Sequence, residues 1–200
     1  IAVNGTLNNT GEFVGDGVVS MSGAKLEGEG SFNNITFNNN VDVVGNTTIY
    51  GKMVMNGVVT AQNQINIGEE GSMSGSSWVN GKVQKKWRDA DMGYFDFKIG
   101  SIAHAAPVRV TPTSEGAEFT ASYAYDGSKP AITDKELIGD LERVSAQETW
   151  NIDGNVPSLI TLYWSDFSGV TTDDELYIAH KLSNGTWEKL DGEVLDNSIT

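Results

Sequence analysis

The sequence predicts an all-β protein: a short parallel β-helix, or β-solenoid, followed by an antiparallel β-sandwich. Three observations carry this expectation. The first 75 residues repeat with a step of ~18, the sequence mark of stacked structural units. No segment holds a sustained 3.6-residue apolar period, so the repeat has no helical half. Composition also breaks sharply: all five Trp and all four Pro lie after residue 77, whereas twelve of the 17 Asn lie before residue 67.

The repeat is clearest from Gly45 to Ile67, GNTTIYGKMVMNGVVTAQNQINI. Ile49, Met53 with Met55, Val58 with Val59, and Ile65 with Ile67 mark very short strands separated by Gly, Asn or Gln. Written in register, Leu7, Leu26, Val44 and Gln62 form one column, with Val43 and Ala61 beside the last two. Phe13, Phe32, Tyr50 or Ile49, and Ile67 form another. Val19, Phe37, Met55 and Met73 form a third, while Ile35 falls over Met53 and Val41 over Val59. Each coil of a solenoid buries its inward residues against the coils above and below. Gly and Asn suit the corners because they tolerate the backbone of tight turns; Asn33, Asn34 and 38–40 fit such corners. A β-meander with Gly/Asn turns is the alternative.

After residue 77 the alternation lengthens and turns space out, as in a sandwich. Strands are expected over 79–87, 94–99, 106–111, 118–125, 148–153, 158–164, 176–182 and 186–190. The segment 133–144 breaks this pattern. Thr133 and Glu136 form a capping box, and Leu137, Ile138 and Leu141 form a short stripe, which together predict one or two helical turns. The expected division is therefore 1–77 for the solenoid and 78–200 for an Ig-like or jelly-roll-like sandwich.

The chain carries 13 Lys and Arg against 27 Asp and Glu, a net charge of −14. Binding phosphate backbones needs clustered cations, so this balance argues against nucleic acid and against anionic membrane surfaces. Without cysteine, disulfides and thiolate-held metals are excluded. No apolar run approaches the ~20 residues of a membrane-spanning helix. The chain opens at Ile1 with no signal-like apolar segment, which reads as a processed product or an excised piece.

Candidate sites are few. Acidic loops of surface β-proteins supply the oxygen ligands calcium prefers. Asp89 with Asp91, and Asp173 with Asp174, are the candidates for a structural Ca2+; no other cofactor is expected. His104 and His180 are the only histidines, one in a loop and one in a strand, and a structural role is expected for each. The solenoid acids, among them Glu12, Asp16, Glu27, Glu29 and Asp42, are scattered rather than paired for glycoside chemistry. No nucleophile elbow or dinucleotide fingerprint is present. Trp78, Trp87, Trp150, Trp164 and Trp187 are expected to fill the sandwich core and the junction, with Trp78 sealing the open end of the solenoid.

The run 75–83 (GSSWVNGKV), then 94–100 (YFDFKIG), then 107–110 (PVRV) resembles a recurrent module of large secreted surface proteins of Bacteroidetes. The later stretches 148–152, 162–165, 176–180 and 186–190 are similar to that module's later strands. The resemblance covers about residues 75–195. Lys98 stands where the module usually has Pro, which predicts a less kinked strand. It implies an extracellular or cell-surface protein similar to adhesins and type IX secretion cargo, preceded by an Asn/Gly-rich solenoid. Family modules run on through another strand or two, so a C-terminal truncation is expected.

The expected function is a non-catalytic surface or adhesin module with a structural or interaction role. Its expected partners are other surface proteins or glycans, with self-association through open edges. The alternatives are a carbohydrate-binding module and a polysaccharide-active enzyme.

Overall fold

The structure is a computed structural model that describes residues 1–88, 93–132, 136–168, 170 and 175–200. Its first part is a β-solenoid of about five turns. Coil by coil the strands are β1 (Ala2–Val3), β2 (Leu7–Asn8), β3 (Glu12–Met21), β4 (Lys25–Glu27), β5 (Ser31–Phe37), β6 (Val41–Val44), β7 (Thr47–Ile49), β8 (Lys52–Met55), β9 (Val59–Ile67), β10 (Ser72–Gly75) and β11 (Val79–Lys86). All pairings among them are parallel, each strand lying on its counterpart one coil later.

Every second residue of a strand points inward, and the inward residues stack. Val3, Met21, Phe37 and Met55 form one stack, with Val19, Ile35, Met53 and Met73 beside it. Leu7, Leu26, Val43 and Ala61 form the second, flanked by Val41, Val59, Val79 and Ile99. Phe13, Phe32, Ile49 and Ile67 form the third, in which the rings of Phe13 and Phe32 lie parallel at 5.2 Å. Ile35, Phe37, Val43, Ile49, Met53 and Met55 are wholly buried, and each such side chain contributes about 1.5–3 kcal/mol.

Two of the expected columns need correction. Val19 lies under Ile35, whereas Phe37 belongs with Met21 and Met55. Val43 and Ala61, not Val44 and Gln62, occupy the second stack, and Ile49 rather than the exposed Tyr50 occupies the third. The step from Met21 to Phe37 is shorter than that from Met55 to Gly75. A column drawn at constant period therefore slips by one or two residues, and a slip of one turns a side chain from core to solvent.

The corners are held by asparagine. Asn33 Nδ2 donates to the Gly15 carbonyl at 2.7 Å, and Asn39 Nδ2 to the Ser22 carbonyl at 2.9 Å. Asn34 Oδ1 accepts from the Lys52 N–H, and Asn40 Oδ1 from the Val58 N–H, each at 2.9 Å across 18 residues. Asn34→Ala leaves the Lys52 N–H without its partner. It should lower the unfolding free energy by about 1–2 kcal/mol, read by thermal denaturation. An unchanged midpoint would show that water replaces the amide.

The second part contains β12 (Phe95–Phe97), β13 (Ile99–Gly100), β14 (Val108–Pro112), β15 (Glu118–Tyr125), β16 (Glu148–Gly154), β17 (Ser158–Tyr163), β18 (Ile178–Lys181), β19 (Trp187–Leu190), β20 (Val194–Leu195) and β21 (Ser198–Ile199). Strand β11 is shared. It is parallel to β9 on one side and antiparallel to β15 on the other, and β15 carries β16. A second sheet runs β12-β14-β17-β21-β20, and β18 with β19 forms a separate hairpin. Trp87, Phe95, Phe97, Val108, Val110, Phe119, Ala121 and Tyr123 join one core cluster with the solenoid interior. The parallel ladder thus runs past residue 77: Val79 and Lys85 continue two solenoid stacks, and Val83–Lys86 pair with β15 on the other edge of the same strand.

Ile99 and Gly100 lie beneath Val79 and Asn80 and close that end of the solenoid. Trp78 packs there, its Nε1 donating to the Ser101 carbonyl at 2.7 Å. A side chain at Gly100 would strike the Trp78 ring. At the other end Val3, Leu7 and Phe13 are only half-buried.

The helical expectation for 133–144 fails over its described part. Residues 136–144 hold turns and isolated bridges, Ile132 with Val144 and Leu137 with Trp187. The Ile138 N–H donates to the Trp187 carbonyl, and the Trp187 N–H to the Glu136 carbonyl. Backbone pairing with β19 displaces a three-residue apolar stripe too short to hold a helix alone. Thr133 itself lies outside the described residues.

Candidate functional site

A shallow, open hollow lies on the flank of the solenoid where it meets the sandwich. It measures about 540 Å3 and is lined by Asn46, Gln62, Asn63, Gln64, Lys82 and Ser122, with Ala61 and Gly81 as its floor. The register explains it. Val59 pairs with Val79 and Ile65 with Val83, so coil five covers in four residues what coil four covers in six. The corner Gln62–Gln64 therefore projects with no matching corner beneath it. Gly81, at φ +144°, makes the shortcut possible, because a Cβ there would lie 2.5 Å from the Ala61 carbonyl oxygen. Bulges that re-aim side chains in this way are common beside functional sites.

The lining is polar and mostly unengaged. Gln64 Nε2 donates to Asn66 Oδ1 at 2.7 Å. Asn46, Gln62, Asn63, Lys82 and Ser122 use their side chains in no hydrogen bond or ion pair among the described residues. A second hollow, of about 420 Å3, lies by Asp140, Glu188, Lys189 and Asp191. It is already engaged: Lys189 Nζ reaches Asp140 at 3.2 Å and stands 3.4 Å from the Tyr177 ring centre.

Among the described residues, one cation is buried. Lys85 is 3% exposed and occupies the stack position directly under Ile67. Its Nζ donates to the carbonyls of Gly68, Glu69 and Gly71 at 2.6, 2.8 and 2.9 Å. The rings of Trp87 and Phe95 stand 5.9 and 5.2 Å away. Burial pushes its pKa down to about 8, and the nearby charges of Glu70 and Glu69 pull it back up. Arg88 in turn pairs with Glu69 and Glu70. This constellation closes the turn after β9. Tyr123 donates to Glu148 at 2.6 Å; burial, then that bond, holds its phenol protonated well above the ordinary range.

On the outer face of the second sheet, Arg109 grips Asp96 with two bonds, at 2.7 and 3.0 Å, and lies over the Tyr94 ring at 3.6 Å. The bond to that carboxylate holds the guanidinium's pKa above its ordinary value against the opposing effect of burial, with smaller support from the Asp96 charge and the nearby phenols.

The calcium candidates Asp89, Asp91, Asp173 and Asp174 lie outside the described residues. Among the described residues, no group of three or more His, Asp or Glu is placed to hold a metal. The two histidines are not brought together: His104 meets the Tyr125 ring edge-on at 4.9 Å, whereas His180 Nδ1 contacts Glu188 at 2.9 Å in the hairpin. Glu27 is taken by Lys25. Among the tryptophans only Trp87 is fully buried. Trp87 is 1% exposed, Trp150 Nε1 donates to the Ala106 carbonyl at 3.1 Å, and Trp78, Trp164 and Trp187 are half-buried. No described helix is long and apolar enough to cross a membrane.

The sequence reading missed the groove. The sequence carries one signal of it, the polar corner 62–64, in which Gln62 falls into an otherwise apolar column when the period is held constant. Compared with known protein families, curated proteins and solved structures, the chain matches none.

Proposed function

We propose that this chain is a non-catalytic surface module of a secreted protein, in which the solenoid serves as a stalk that presents the sandwich. The observation that supports this most is the shared strand β11, parallel to the solenoid on one edge and antiparallel to the sandwich on the other. Two units joined by a peptide linker swing independently. Units joined by a hydrogen-bonded strand and one core transmit position and force. Such a joint suits an adhesin-like protein of the Bacteroidetes type that the sequence resembles, at the cell surface or outside it. Its partners in this reading are other surface proteins or glycans. A net charge of −14 favours a soluble, self-repelling rod.

The test is adhesion. The chain displayed on a non-adherent bacterium should confer attachment to surfaces coated with glycans or matrix proteins, without consuming the coating. Attachment at background level on every coating, or release of products from a polysaccharide coating, would overturn the reading.

A further inference from the structure

The corner asparagines separate into two sets. Asn33, Asn34, Asn38, Asn39 and Asn40 all bond to adjoining coils. Asn46, Gln62 and Asn63 do not, and they converge on a corner that the next coil bypasses, as β5 also bypasses the corner 14–17. Lys82 adds an ammonium that no carboxylate neutralises among the described residues. Ser122 adds a hydroxyl from β15, next to the Val83–Ala121 pair that opens the antiparallel register.

We propose that this groove binds an oligosaccharide that bears a carboxylate. A side-chain amide offers two donors and an acceptor on one plane, which matches the vicinal hydroxyls of a sugar ring. The floor is nearly without apolar side chains, Ala61 alone contributing one, so it lacks the pockets that recognise alternate side chains of an extended peptide. The charge assignment rests on Lys82. In a chain so acidic, an ammonium left without a carboxylate at the rim of a polar hollow selects an anionic group, and a sugar carboxylate supplies it. Gly81 keeps the floor open, since any side chain there would push β11 off β9. The site deepens the interaction role proposed above and names its partner.

The experiment is an array of acidic and neutral oligosaccharides probed with the whole chain. Retention should be confined to carboxylated glycans. It should fall by about tenfold or more in Lys82→Gln and in the Gln62→Ala, Asn63→Ala double variant, in line with the loss of one charge-assisted bond or two neutral ones. Both changes lie at an exposed corner, so the melting temperature should not move, and Lys86→Gln should bind as the parent does. The proposal is overturned if no glycan is retained, if neutral glycans bind as tightly as acidic ones, or if the groove variants bind unchanged. Attachment to a protein coating with no glycan retained would overturn the groove and leave the surface-module reading. Depolymerisation of a bound glycan would do the reverse.

Discussion

Trp87→Ala should lower the unfolding free energy by about 3–5 kcal/mol, the range for deleting a large buried aromatic. Trp87 is 1% exposed. Its ring meets Phe95 and Phe119 edge-on, each at 5.9 Å, and Phe97 at 6.3 Å. Those partners come from β12 and β15, one in each sheet of the sandwich, and the Trp87 N–H is held by the Ala117 carbonyl. Deleting the indole therefore removes the contact between the two sheets at the point where the solenoid ends. The cavity does not collapse easily, because three of its walls are sheet residues fixed by their ladders. Since β11 belongs to both units, the whole chain should unfold at a lower urea concentration in one transition. Far-ultraviolet circular dichroism and tryptophan fluorescence should give coincident curves. A loss below about 1.5 kcal/mol, or a solenoid transition left at its original midpoint, would show that the two units are not joined through this cluster.

How much of this was legible from sequence follows from what each residue has to satisfy. The stacks of Val41 on Val59 and Ile35 on Met53 were readable because a solenoid interior accepts only apolar side chains at a nearly constant step. The sandwich strands were readable because alternation survives wherever one face is buried. The slipped column of Val19 was not readable, since coil length varies and only the hydrogen-bond register fixes which neighbour lies beneath. The groove was illegible for a related reason. Its cause is two residues missing from one coil relative to the last, and Gln62 looks like an imperfect core residue until the partner strand is known. Trp87 was correctly expected in the core, but not as the contact between the sheets. In the sequence Lys85 is one of two adjacent lysines between Val83 and Trp87. Only the stack shows it beneath Ile67, in a column of apolar side chains.

Lys85→Met should cost about 2–4 kcal/mol even though it replaces a buried charge with an apolar side chain of similar length. Such exchanges are often neutral for an ion pair whose two partners are both removed. Here the acceptors are backbone and cannot be removed. The carbonyls of Gly68, Glu69 and Gly71 all converge on Nζ. The Gly68 carbonyl keeps the Gly71 N–H, so the loss falls on Glu69 and Gly71, and leaving a buried acceptor unsatisfied costs about 1–3 kcal/mol before relaxation or water entry. The pH dependence separates this role from packing. Burial holds the ammonium pKa at about 8, below the ordinary 10.5, so between these values the unfolded chain binds more protons than the folded one. Stability therefore rises with pH across that window. The advantage of the parent over Lys85→Met should widen from pH 8 to pH 10, by at most about 1.4 kcal/mol per pH unit, and stay level below pH 7. Paired urea titrations of the two proteins at pH 6.5, 8, 9 and 10 measure it. A gap that is constant with pH would assign the whole effect to the methylene packing of the side chain. A gap that narrows as pH rises would show that the charged form is favoured inside the fold, with the three carbonyls outweighing desolvation.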